Sequence, residues 1–241
     1  TITSTAASAL VFTLLTGATG TLSNVNANGA IYSALFDSLA TTAIAVTGST
    51  FTGGSATQGV MLRDSTGSEV VITTSTYVYH EILNCLNTPP LVFDQPAAGS
   101  TTLVKDTTVS GAAAQGIWLK NLNGNTVGLD NVNCVAATIA IRIEGATSSF
   151  IGVSGNSVLA GTTDGIRATG LSSTPLFVVD TTITAAATAI DIADATVGGL
   201  ITIQRVETLG VHATGIAFSA LAGTAVTIEH CKLHAATVGV A

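Results

Sequence analysis

Apolar and polar residues alternate along much of the chain in short runs, the period-2 pattern of half-buried strands. In the second half the pattern itself recurs. Gly116-Ile117-Trp118-Leu119 is echoed by Ala140-Ile141-Arg142-Ile143, Gly165-Ile166-Arg167-Ala168, Ala189-Ile190-Asp191-Ile192, Gly215-Ile216-Ala217-Phe218 and Gly239-Val240-Ala241. The β-branched residues at 117, 141, 166, 190, 216 and 240 are separated by 24, 25, 24, 26 and 24 residues. A second strand precedes each of them, aligned as Leu103-Val104-Lys105, Val127-Gly128-Leu129, Ile151-Gly152-Val153, Phe177-Val178-Val179, Ile201-Thr202-Ile203 and Val226-Thr227-Ile228. Between the two lies a short segment ending in small residues, as in Val109-Ser110-Gly111-Ala112 and Ile183-Thr184-Ala185-Ala186. Each repeat therefore holds about three short strands joined by Gly, Asn, Asp, Ser and Thr turns.

Earlier repeats follow the same grammar less strictly. Ile44-Ala45-Val46 leads through Phe51-Thr52-Gly53-Gly54 to Gly59-Val60-Met61-Leu62, with Asn28-Gly29-Ala30-Ile31 one coil earlier and Val70-Val71-Ile72 leading to Ile82-Leu83. From Val60 to Ile117 is 57 residues, two coils plus an insertion. A fixed period of this length with three strands predicts a β-solenoid. Roughly nine coils at ~4.8 Å each build a rod about 40–45 Å long. No segment has helical spacing, and the core pattern of leucine-rich repeats is missing. Residues 1–27 are expected to form an N-terminal strand or capping segment, 28–241 the solenoid, with an insertion at about 64–100.

Composition fits this reading. Charged residues make up 9% of the 241, aromatics 5%, and Thr occurs 40 times. A narrow interior where like residues stack on like favours Val, Ile, Leu, Ala and Thr. The seven Lys and Arg against 14 Asp and Glu leave a net charge of −7, which excludes a basic footprint for nucleic acid. Ala9–Leu15, the apolar run near the start, is too short to span a bilayer, which takes about 20 residues; no basic residue precedes it, as a secretory signal requires. It is expected to be a strand or a cover for one end. Thr1 in place of Met points to processing or a longer precursor, and the ending at Gly239-Val240-Ala241 looks like an unfinished coil.

The Gly/Ala-Ile-x-apolar step, the paired strands and the period resemble the right-handed single-stranded parallel β-helix of the pectin-lyase-like superfamily, over roughly residues 28–241. That group includes phage tailspikes, polysaccharide lyases, polygalacturonases and surface adhesins. The fold expected is therefore all-β, a right-handed parallel β-helix. The Asn ladder often seen in the superfamily is missing; the column after the second strand reads Ser49, Thr107, Val132, Asn156, Thr181, Val206 and Cys231.

Candidate chemistry is sparse. Thr163-Asp164-Gly165-Ile166 resembles the Asn-Thr-Asp-Gly of polygalacturonase-type glycosidases, but Asp191 and Asp194 are not adjacent, His212 precedes Ala213 and no Arg-Ile-Lys follows. Asp164 falls before the Ile step and Asp191 after it, so the two are not expected to stack as a hydrolase pair, whose carboxylates stand about 5–9.5 Å apart. Asp180, Asp191 and Asp194, with Arg167 and Arg205 on neighbouring coils, are the acid group a Ca²⁺-dependent lyase would have to use. His80, His212, His230 and His234 are scattered. Cys85, Cys134 and Cys231 lack metal-ligand spacing and are expected to be buried thiols acting as small hydrophobes. Tyr77 and Tyr79, in the insertion, could stack on a sugar or a partner.

No catalytic residue, cofactor or metal is assigned. The expectation is a non-enzymatic structural or adhesive module, most like a phage tail fibre, spike or decoration protein in a virion, or a cell-surface fibre subunit. Its expected partners are copies of itself, a trimer by the resemblance, other virion or surface proteins, and a carbohydrate receptor. A polysaccharide-degrading enzyme on the same fold is the alternative. An ice-binding solenoid would need a strict Thr-x-Thr column, which the sequence does not show.

Overall fold

A computed structural model describes residues 2–4, 8–29, 32–53, 60–63, 68–73, 76–79, 91–94, 99–112, 115–136, 138–196, 198–210 and 212–240. Every one of its strand pairs is parallel, and no helix occurs among the described residues. The chain coils into a β-solenoid with three faces. Among the described residues, face 1 is a sheet of ten strands, and faces 2 and 3 together form a sheet of 16. The long strands Thr101–Ala112 and Thr126–Ala136 run round the corner between faces 2 and 3, and so join them. One coil consists of Ile139–Thr147 on face 1, Phe150–Ser154 on face 2 and Ser157–Gly161 on face 3; the next repeats it as Asp164–Ser172, Leu176–Val179 and Thr181–Ala185.

On face 1 the register follows the repeat. Ile117 pairs with Ile141, Ile141 with Ile166, Ile166 with Ile190, Ile190 with Ile216 and Ile216 with Val240. The column continues backwards through Leu91 to Val60 and Ala34, so two coils do separate Val60 from Ile117. Ala34 takes the place expected of Ile31, because Asn26–Gly29 belongs to face 3, where Gly29 pairs with Gly53. Ile82 and Leu83 lie outside the described residues. Within 1–27, Leu10–Thr13 and Thr19–Ser23 pair with the following coil. Within 64–100, Glu69–Thr73, Thr76–Tyr79 and Leu91–Asp94 pair into the same stack.

Face 2 corrects the alignment at two places. Val127 pairs with Thr102, and Ile151 with Leu176. The inward residues are thus Thr102 and Leu176, both buried, while Leu103 and Phe177 point outward. A one-residue slip exchanges the two faces of a strand. The apolar pairs Leu103-Val104 and Leu176-Phe177 hide that slip, since either member can be read as the core residue. Phe177 stacks on Phe150 of the previous coil at 5.2 Å, and Leu103 lies over Gly128, so both cover sheet surface from outside.

The step's Gly or Ala has a packing cause. A Cβ on Gly116 would strike the Sγ of Cys134 on face 3 and stand 2.8 Å from the Ala140 carbonyl oxygen. Burial pushes the Cys134 thiol up to about 12, so it acts as a small core hydrophobe. Among the described residues Cys134 and Cys231 are free thiols, but Cys231, expected to be buried, is only partly so; Cys85 lies outside them.

Columns of mostly hydroxyl side chains, all buried, line two corners. Between faces 2 and 3 the column is Ser49, Thr107, Val132, Ser157, Thr181 and Val206, all buried. Ser157 holds the place expected of Asn156, which takes φ 63° in the turn just before it. Asp106, Asn131, Asp180, Arg205 and His230 adopt the same left-handed conformation in their own coils; Asn and Asp tolerate it best. Between faces 1 and 2 runs a second column of Thr42, Ser68, Ser100, Asn125, Ser149 and Thr174. The Ser149 Oγ accepts the Asn125 N–H at 3.1 Å and donates to the Thr147 carbonyl at 2.9 Å. Ser149→Ala leaves that buried N–H without its acceptor and is expected to cost about 1–3 kcal/mol. Ser149→Thr is expected to recover most of it, and urea unfolding of both variants checks the pair.

Candidate functional site

The outer surface of face 1 gathers the chemistry. In the Ile-x-apolar step the middle residue points outward, and the register stacks Trp118 on Arg142, Arg142 on Arg167 and Arg167 on Asp191. Lys120 and Glu144 pair two residues further along the same strands. The Arg142 guanidinium lies 5.0 Å from the centre of the Trp118 ring and the Lys120 ammonium 5.3 Å from it. These are cation–π distances. Arg142 Nη2 is 3.1 Å from Glu144 Oε2. The Trp118 Nε1 is buried and has no hydrogen-bond partner among the described residues.

The far end of this row joins Asp164 and Asp191, the two carboxylates weighed from the sequence as a hydrolase pair and expected not to stack. Asp164 opens its strand opposite Ile139 and Thr188, so it does not pair in register with Asp191. Arg167 nevertheless links them, with Nη2 at 2.6 Å from Asp164 Oδ2 and Nε at 3.4 Å from Asp191 Oδ2. Asp164 is only 1% exposed. Burial pushes its carboxyl above the ordinary value; Arg167 pulls it back, and the negative charge of Asp191 pushes it up again.

This shift has a consequence for stability. Asp164 holds its proton more tightly in the folded chain than in the unfolded one. The stabilisation is complete below the ordinary carboxylate range and is lost as pH rises through the raised folded value. Asp164→Asn keeps the neutral shape, so its melting midpoint relative to the parent protein is expected to climb as pH rises from the carboxylate range to neutrality. A difference that stays flat with pH would refute this.

The remaining candidates disperse. Asp180 is taken by Arg205 through two contacts at 2.5 and 2.8 Å, and this hydrogen bonding holds its carboxyl below the usual range. Asp180, Asp191 and Asp194 do not converge, and no group of three or more His, Cys, Asp or Glu suited to a metal ion occurs among the described residues. His234 Nε2 is 3.9 Å from Glu207, and His230 sits in an exposed corner. His80 and the side chains of Tyr77, Tyr79 and His212 lie outside the described residues. By register Tyr77 pairs with Phe51 and Val109, which are both buried.

The row therefore presents an indole, three cations and the carboxylates of Glu144 and Asp191 on a sheet surface, with Asp164 buried behind them, a set suited to stacking and hydrogen bonding with a polar ligand such as a saccharide. Sequence reading missed Lys120 and Glu144 and passed over Trp118 and Arg142 as repeat members. The signal lay in the middle position of the step, where Trp, Arg, Arg and Asp succeed one another. No protein-family model and no curated protein matches the chain.

Proposed function

We propose that the chain is a non-enzymatic structural or adhesive module of a larger assembly, of the pectin-lyase-like β-helix type found in phage tail fibres, spikes and decoration proteins. Its place is then a virion or another extracellular surface. Support comes from how the charged side chains are used. Lys105 meets Asp130, Asp180 meets Arg205, Glu207 meets Lys232 and Arg167 meets Asp191, each pair lying 24 or 25 residues apart. These contacts tie neighbouring coils together, as a rod requires, while Arg142–Glu144 and Arg167–Asp164 lie within single strands. The Trp118–Arg142–Arg167 row is the surface such a module offers to a carbohydrate receptor.

A second reading, a carbohydrate-active enzyme, is favoured by one observation: the buried Asp164, with its raised carboxyl, stands near a second carboxylate. One experiment separates the two. Purified protein is incubated with neutral and acidic polysaccharides while reducing ends and unsaturated products are followed, and particles or cell envelopes of the source are analysed by quantitative mass spectrometry. Stoichiometric presence without turnover is expected. Turnover abolished by Asp164→Asn and Asp191→Asn would replace the structural reading with the enzymatic one.

A further inference from the structure

Asp164 and Arg167 share one strand of face 1 but differ in exposure. The Asp164 side chain is 2% exposed, whereas that of Arg167 is 39% exposed and reaches back along the strand to meet it. Few other charges face this carboxyl. On one side Ile139–Thr147 presents Arg142 and Glu144, and on the other Thr188–Ala193 presents Asp191. The face 3 strands packed on it, Ser157–Gly161 and Thr181–Ala185, bring no titratable side chain. With Asp164 ionised, Lys120, Arg142 and Arg167 stand against Glu144, Asp164 and Asp191, and the row is electrically balanced. A proton on Asp164 leaves three cations against two carboxylates. Arg167 then loses its ion pair with Asp164 and keeps the longer contact to Asp191 at 3.4 Å.

We infer that Asp164 is a proton-operated latch on Arg167, which turns the Trp118–Arg142–Arg167 row from a balanced surface into a cationic one and so sets its hold on the anionic groups of a saccharide. The inference rests on the reading of this row as the carbohydrate-facing surface and adds its regulation. Asp164 cannot follow Arg167 outward, because its strand is paired on both sides and its side chain is buried. A neutral carboxyl is at ease at that depth, while an ionised one needs Arg167 as its partner. Arg167 has somewhere to go. It stacks in register beside Arg142 on the outer surface, where two guanidinium forks can grip a sulfate or carboxylate. Burial already sets the Asp164 carboxyl above the ordinary carboxylate range, so the latch opens before strong acid is reached. Every further protonation among the carboxylates of the row acts in the same direction. On a chain of net charge −7, such a local surplus of cations decides where an anionic ligand settles.

The test uses the whole chain with two probes, dextran sulfate and uncharged dextran, and follows binding by calorimetry from neutral pH down towards the carboxylate range. Dextran sulfate is expected to bind about three- to tenfold tighter at the acid end, as uptake of one proton allows. Asp164→Asn is expected to bind at neutral pH as the parent does in acid, with most of the pH slope gone. Asp106→Asn removes the same charge at the corner between faces 2 and 3 and is expected to follow the parent, which separates the latch from net charge. In the isotope-labelled chain without ligand, the Arg167 Nε–H resonance is expected to move with the titration of Asp164. An Arg167 resonance that ignores this titration overturns the latch. So does a pH slope that survives Asp164→Asn undiminished. Binding of uncharged dextran alone, equal at every pH, keeps the carbohydrate reading and overturns its regulation. If Arg167 follows Asp164 but neither probe binds at any pH, the carbohydrate reading of the row falls and the proposed regulation falls with it.

Discussion

Ile141→Ala is expected to destabilise the solenoid by about 3–4 kcal/mol. Ile141 is fully buried, stacked between Ile117 and Ile166. The truncation leaves a void in the middle of the column, and the coils above and below cannot close on it. Their spacing is fixed at ~4.8 Å by the main-chain hydrogen bonds of all three faces, so the relaxation that softens many core truncations is denied here. A loss of this size is a large part of the 5–15 kcal/mol by which domains are ordinarily stable. At Val240 the same column is half exposed. Val240→Ala is expected to cost under about 1 kcal/mol. Urea unfolding of both variants gives the comparison, and equal losses at the two positions would refute the stacked-column account.

Gly165→Ala is expected to cost about 2–3 kcal/mol, although replacing a strand glycine ordinarily helps by about 0.5–1 kcal/mol. The new Cβ would collide with Ile183 Cγ2 across the interior and stand 2.7 Å from the Ala189 carbonyl oxygen of the next coil. Neither is the free end of a flexible chain. Gly239 occupies the equivalent position in the last coil and has nothing within 4 Å of where its Cβ would be. Gly239→Ala is therefore expected to be neutral or slightly stabilising. In a double-mutant cycle Gly165→Ala with Ile183→Ala is expected to lose less than the sum of the single losses, because the second change removes one of the two collisions. Strict additivity would place the strain elsewhere. The cycle also bears on the Thr163-Asp164-Gly165 motif, since it assigns its glycine to packing.

From Ile117 to Val240 the face 1 column was readable to the residue because an Ile or Val follows a Gly or Ala every 24–26 residues; before it, Ile31 was expected where Ala34 stands, and Leu91 follows a proline and carries no such mark. Face 2 misled at Leu103 and Phe177, where two apolar residues are adjacent and the buried one is a threonine or the smaller hydrophobe. Hydrophobicity alone does not rank Thr102 above Leu103; the preceding corner's geometry does. The column after the second strand was right except at Asn156, where residue type favoured the turn and the buried position fell to Ser157. The Ser149 corner column escaped notice because Ser, Thr and Asn read equally well as loop. At the site, Asp164 and Asp191 were weighed together and rightly not stacked, but their link through Arg167 depends on side chains meeting within and across neighbouring strands, which spacing along the chain does not reveal.

Contacts between neighbouring coils join residues about one turn apart, as Ile141 and Ile166 do at 25 residues in a chain of 241. The relative contact order is therefore about 0.1, in the range of helical bundles and well below that of β-sandwiches. Adding coils lengthens the rod without lengthening the loops that must close. The slow event in folding is then formation of a first pair of stacked coils, after which each further turn docks on a finished template. Most β proteins must bring distant segments together before any sheet exists; this chain can grow its sheets in the order in which they are synthesised.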